Sequence, residues 1–221
     1  MSIEQNVEEV RNRIAQACDR GGRSPDEVTL VAITKTYDAS VVRTAFQAGL
    51  RHFGENRIQE AKAKLDELKD VQSQSTWHMV GHLQTNKVKT AVQLFDIIQS
   101  VDSLKLAEAL NSNALKSFPV LLQVNIAEED SKSGFAVGEI NLVLSEIGRM
   151  PNLEIKGLMT IAPWVDDPEE VRPAFRKLRE LRDSLGLEQL SMGMTDDFEV
   201  AVEEGATIVR VGRAIFGKRR A

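Results

Sequence analysis

The stretch VTLVAITK, residues 28–35, is short, β-branched and almost wholly apolar up to its closing Lys35. An uninterrupted apolar run of this length reads as a strand covered on both faces, as strands of a parallel sheet are. Before it, Val7, Val10, Ile14 and Ala17 recur at the spacing of an amphipathic helix, closed by Gly21-Gly22 and the turn Ser24-Pro25-Asp26. After it the alternation repeats. Strands are expected near His52-Phe53 and over 76–82, 96–100, 119–126, 154–161, 187–193 and 207–211. Helices are expected over 39–49, 57–68, 86–94, 104–116, 137–150, 168–185 and 196–204. Eight βα units in this order favour a closed (β/α)8 TIM barrel over an open doubly wound sheet. The weakness of the second strand leaves an open six- or seven-stranded sheet as the competitor. No linker-like or low-complexity segment divides the chain, so residues 1–221 are expected to form one domain. Nothing helical is expected after the last strand, which leaves a place in the outer ring for the leading helix.

Composition narrows the function. The 221 residues carry 28 Lys+Arg against 33 Asp+Glu, a net charge of −5, with 42% hydrophobic residues. A net negative chain argues against nucleic-acid binding, which needs a basic surface; the basic run at 218–220 is a tail, not a binding face. One cysteine, Cys18, excludes an intramolecular disulfide and a cysteine-based metal cluster. The acidic start MSIEQNVEEV lacks the apolar core of a signal peptide, and no run reaches membrane-spanning length. The expectation is a soluble, cytoplasmic protein with no membrane partner.

Barrels of this kind work at the C-terminal ends of their strands. Those ends carry Lys35, Gly54-Glu55-Asn56, Gly81-His82, Ser100, Asn125, Thr160, Ser191-Met192-Gly193 and Arg210-Val211-Gly212. Thr29, Val31, Ile33 and Lys35 share one strand face. If that face lines the barrel, the Lys35 ammonium rises into the mouth above an apolar layer, where desolvation favours the nucleophilic free amine. Position alone equally allows a strand-end lysine that reaches solvent. Arg210 lies between Val209 and Val211 on the face of Ile208, and a guanidinium there needs an acceptor. A neighbouring carboxylate would serve, as would a ring nitrogen or oxyanion of a ligand. Ser191-Met192-Gly193-Met194-Thr195-Asp196-Asp197 and Gly212-Arg213-Ala214 follow strands 7 and 8, the usual phosphate position of such barrels, with small residues that permit close backbone approach. Thr195 or Asp196 also suits a helix cap.

Other matches fail. GHLQTNK (81–87) lacks the second glycine and the hydroxyl residue of a phosphate-binding Walker loop. VAITK (31–35) has one residue too many for the kinase lysine motif and no glycine-rich loop before it. His78 and His82 on one strand would stand roughly 13 Å apart, too far for one metal ion. His78 is therefore expected to be a core or supporting group, and His82 a group at the mouth. The charge runs at 60–69 and 172–182 read as solvated helix faces, and the Trp and Phe residues as structural.

VAITKTY (31–37), HFGENRIQEA (52–61), WHMVGHLQTNK (77–87), GLMTIAP (157–163), LSMGMTDDFEVAVEEGAT (190–207) and VRVGRAIFG (209–217) together resemble the pyridoxal phosphate homeostasis proteins, the YggS/PROSC family. The resemblance runs in order along almost the whole chain. It implies the fold-type III barrel, similar to the N-terminal barrel of alanine racemase, that binds pyridoxal 5′-phosphate (PLP). Carried over by position, Lys35 holds PLP through a Schiff base and Asn56 lies beside the cofactor. Ser191, Gly193 and Thr195 hold the phosphate with the Gly212-Arg213 backbone, and Arg210 faces the pyridine nitrogen. Met159 or Thr160 is a further contact. An arginine keeps that nitrogen unprotonated, and an unprotonated ring is a poor electron sink. Racemisation also needs a second base, which alanine racemases take from a C-terminal β-domain, and no such domain is expected here. The expectation is a monomeric PLP-binding protein of cofactor homeostasis without dedicated turnover, with PLP-dependent apoenzymes as recipients. A racemase-like or aldolase Schiff-base enzyme and a regulatory binding partner with PLP as ligand are the alternatives.

Overall fold

The structure, a computed structural model, describes residues 2–127 and 133–217; the basic run at 218–220 lies outside them. Each apolar run forms a parallel strand: β1 (Thr29–Ile33), β2 (His52–Glu55), β3 (Thr76–Met79), β4 (Ile97–Val101), β5 (Phe118–Gln123), β6 (Leu153–Met159), β7 (Gln189–Ser191) and β8 (Ile208–Val211). They pair in sequence order, and β1 pairs β8 through Thr29↔Ile208 to Ala32↔Val211, so the sheet closes on itself. The open-sheet alternative is thereby removed. The second strand, faint in sequence because it spans four residues, is held by β1 through Val31↔His52 and by β3 through His52↔Thr76.

The helices form the outer layer: α1 (Ile3–Gly21), α2 (Ala39–Gln47), α3 (Ile58–Glu67), α4 (Lys69–Gln72), α5 (Val88–Leu94), α6 (Leu104–Asn113), α7 (Ile140–Ile147), α8 (Arg172–Ser184), α9 (Phe198–Glu203) and α10 (Arg213–Phe216). α1 starts on a capping box between Ser2 and Gln5 and stops at Gly22 in the left-handed region. Its buried stripe is Val7, Val10, Ile14, Ala17 and Cys18. That stripe packs against α2, α9 and α10, so the leading helix does close the ring. The expectation that nothing helical follows the last strand is corrected by α10. Four residues are too few to show a 3.6-residue period.

Two apolar layers result. The larger lies between strands and helices and includes Phe53, Trp77, Phe175 and Phe198, each such buried side chain contributing roughly 1.5–3 kcal/mol. The smaller fills the barrel interior with Val31, Ile33, Val80, Ile97, Leu121, Met159 and Ile208. Trp164 is an exception to the structural reading of the aromatics, being 80% exposed. The charged face at 172–182 behaves as expected in part: Arg172, Arg176 and Arg179 converge on Glu203 and Glu204 near the start of β8. The run at 60–69 needs correction, because Lys64 is buried. Its ammonium is drawn inward by Glu55, a carboxylate on the outward face of β2. No helix among the described residues is long and apolar enough to cross a membrane.

Candidate functional site

Period-two alternation carries the interior face of β1 through Val31 and Ile33 to the mouth, and Lys35 follows on the turn just beyond the strand. Lys35 is half-buried. The residues on either side of it are pinned. Thr34 donates its hydroxyl to Glu55 Oε1 at 2.6 Å, and the Thr34 carbonyl accepts from Lys64 Nζ at 2.7 Å. Thr36, in the left-handed region at φ 68°, donates its N–H to Glu60. Burial pushes the Glu55 carboxyl above its ordinary range, against the opposing pull of Lys64. The sequence offered Glu55 only as a member of a strand-end turn, and offered Lys64 as surface; their pairing joins β2 to α3 and was not legible in either alone.

Lys35, Tyr37, Thr195, Arg210, Gly212 and Arg213 line one cavity of about 540 Å³ at the mouth, over a floor that includes Ile33. Thr195 Oγ1 accepts the Gly212 N–H at 3.3 Å, tying the loop after β7 to the loop after β8. The Arg213 side chain is taken by Asp196, so its main chain is what remains for the cavity. Tyr37, to which no role was assigned from sequence, donates to the Gly217 carbonyl at 3.1 Å and packs on Phe216 with ring centres 4.8 Å apart. Its position two residues after Lys35 in VAITKTY was the available signal.

Arg210 occupies the inner wall and is buried with Ile208 and Val31 as strand neighbours. Its guanidinium donates to Ser191 Oγ at 2.6 Å and to the Thr160 carbonyl at 2.7 Å. Burial lowers its pKa to about 10, still a cation at neutral pH, with Asp197 acting in the opposite sense through space. Ser191 pairs in register with Met159 and Ile208, both interior, so its hydroxyl points into the barrel beneath the cavity. There it also donates to Gln99 Oε1 at 2.7 Å. The structure thus gives the Ser191 side chain to Arg210 and not to the cavity wall.

Gly193 is buried, at φ 89°, and is not among the residues that line the cavity. A Cβ there would stand 2.5 Å from Ala201 Cβ and 2.9 Å from Phe198 Cα. Gly193→Ala should therefore combine left-handed strain with overpacking against α9, costing about 2–4 kcal/mol. Urea unfolding monitored by circular dichroism would measure it.

Asn56 lines a different cavity, of about 420 Å³, with Arg57, Gly81, His82 and Lys87. His82 is at the mouth and exposed, 3.0 Å from Asp102. His78 is buried in the barrel, its pKa pushed down to about 3 by desolvation and by His52. The two histidines are indeed separate. Among the described residues no three His, Cys, Asp or Glu groups converge as metal ligands.

Comparison with known proteins agrees with this geometry. The alanine racemase N-terminal domain family matches residues 2–220. A pyridoxal phosphate homeostasis protein of Aquifex aeolicus is 42% identical over 229 residues, covering 100% of both chains. One from Pseudomonas aeruginosa is 43% identical over 223 residues, covering 99% of this chain and 96% of that one. The structure of PipY from Synechococcus elongatus with PLP bound superposes with a TM-score of 0.86 at 37% identity, covering 98% of this chain and 100% of that one. Identity at this level over the full length leaves one assignment: the chain belongs to the pyridoxal phosphate homeostasis proteins, within the alanine racemase N-terminal domain family.

Proposed function

We propose that the protein binds PLP in the mouth cavity, with Lys35 as covalent anchor, and serves in PLP homeostasis as a carrier without dedicated turnover. The observation that supports this most is the donor set around one cavity: a lysine amine on the rim and a buried arginine cation on the inner wall. The volume of about 540 Å³ lies in the range of small-ligand sites. The opening main chain of α10 offers N–H groups suited to a phosphate, beside the small residues Thr195 and Gly212, which are bonded to each other. Ser191 holds the Arg210 guanidinium of that cavity, Gly193 packs closely on α9, and Asn56 lines a second cavity.

When bound, the cofactor supplies an aldehyde carbon open to attack by amines. Lys35 supplies the competing amine, at the rim of a cavity whose lining includes Ile33. Arg210 has no proton to accept and several to donate, so a ring nitrogen facing it stays unprotonated. That weakens the ring as an electron sink and favours storage and exchange over carbanion chemistry. Arg210→Gln, with a neutral side chain, is expected to move the protonation midpoint of the bound chromophore by about 1 unit or more while leaving the fold intact. Absorbance against pH and a far-ultraviolet spectrum check the two halves.

The test of the whole reading is direct. The purified protein with added PLP should absorb in the visible, and borohydride should fix a label on the peptide carrying Lys35. A protein that stays colourless in excess PLP defeats the reading. Amino-acid turnover at the rates of dedicated racemases, on the order of 1–1000 per second, would defeat the carrier role and leave the binding site standing.

A further inference from the structure

Arg210 is a buried cation whose side-chain hydrogen bonds go to neutral acceptors, Ser191 Oγ and the Thr160 carbonyl. Asp197 acts on it through space, with its Oδ1 engaged by the Met194 N–H. From Ser191 a row of side chains continues through the barrel. Gln99 Oε1 lies 2.7 Å from Ser191 Oγ, Gln99 Nε2 lies 2.8 Å from His78 Nδ1, and His78 Nε2 lies 3.1 Å from His52 Nδ1. His52 lines a cavity of about 560 Å³ at the opposite end, near the start of β1.

The chemistry of the first member fixes the sense of the rest. Arginine only donates, so Ser191 accepts from it and spends its own hydrogen on Gln99. The Gln99 amide nitrogen then donates to His78, whose Nδ1 must be bare. The His78 proton resides on Nε2 and is donated to a bare His52 Nδ1. Each of these four groups therefore turns its negative end toward the guanidinium.

We propose that Gln99 and His78 are positioning residues for the PLP site: acting through Ser191, an oriented row of neutral dipoles stands in for a counter-ion and holds Arg210 charged against the cavity. The proposal rests on the reading of the cavity as a PLP site. A carboxylate in direct contact would have discharged part of the arginine's field and tied up its donors; two of its five N–H groups suffice to bind the row and Thr160. Burial lowers the pKa of His52 against the pull of Asp96, and lowers that of His78 to about 3, which keeps His78 neutral.

Two measurements test this. In the full-length chain without PLP, labelled with 15N-histidine, the ring shifts of His78 should report a bare Nδ1 and a protonated Nε2 between about pH 5.5 and 8. Gln99→Glu, which can accept but not donate, should reverse that tautomer. In PLP-loaded protein the same variant should raise the protonation midpoint of the chromophore by about 1 unit or more, since a carboxylate now offsets Arg210. Ser191→Ala, which cuts the row without adding charge, should leave His78 in mixed tautomers and serves if Gln99→Glu does not fold. A wild-type His78 carrying its proton on Nδ1 overturns the orientation. A chromophore whose midpoint is unmoved in Gln99→Glu overturns the positioning role while PLP binding stands. Absence of any chromophore in wild-type protein defeats the cofactor reading instead, and the histidine shifts still decide the orientation.

Discussion

Lys35→Ala should eliminate every borohydride-fixed label from the protein. Among the described residues lining the mouth cavity, Lys35 carries the one primary amine, and the residues on either side of it are pinned in place. Glu55 and Lys64 fasten Thr34, Glu60 fastens Thr36, and the left-handed conformation at Thr36 turns the chain away immediately after the lysine. Removing the side chain leaves this frame and the Thr195–Gly212 wall in place. Non-covalent PLP should still be detected, weakened on the order of 100-fold, about 2.7 kcal/mol. Mass mapping after reduction reads the first effect, and fluorescence titration the second. A reducible linkage that survives in Lys35→Ala would relocate the anchor to another amine.

Lys64→Met should cause the largest loss of stability among changes near the site. The ammonium sits against Glu55, whose carboxylate is fully buried between β2 and α3. Deleting one partner of a buried pair strands the other charge, at a cost of about 3–5 kcal/mol. In a chain of this size that lowers the melting temperature by roughly 10 °C. The pH dependence has a definite sign. The folded-state pKa of Glu55 is already raised above 4.5 by burial, and it rises further without Lys64. A carboxyl group with a raised folded pKa contributes stability that is full below its ordinary value and is lost as pH climbs through the raised one. The variant should therefore recover on acidification toward pH 4.5, and Glu55→Gln in the same chain should recover much of the loss at neutral pH. Thermal melts at several pH values would show both. A small, pH-independent change would mean that Glu55 carries no charge in the native protein.

The order of elements was legible because each followed from short-range chemistry. VTLVAITK is apolar on both faces, so it had to be covered on both, and that demands helices on one side and other strands' side chains on the other. The amphipathic period of α1 named its buried residues correctly. The second strand and α10 were weak or missed because four residues carry too little period to register. At the site, Lys35 and Arg210 stood out because an ionisable group among β-branched neighbours contradicts its surroundings.

What the sequence could not settle is which group faces which. Ser191 and Thr195 are four residues apart and in sequence look equally fit for a phosphate, yet Ser191 closes β7, where its pairing with Met159 and Ile208 turns its hydroxyl inward, while Thr195 lies on the cavity wall. Lys64 has the helical spacing of a surface charge, and only the outward face of β2 supplies the buried carboxylate that draws it in. His52, His78, Gln99, Ser191 and Arg210 come from five different strands, and meet because closing the sheet brings alternate residues of β2, β3, β4, β7 and β8 onto one interior surface. Local propensity and period decide which residues turn inward along one strand; barrel closure and register decide what they meet, because those contacts span distances that no local pattern encodes.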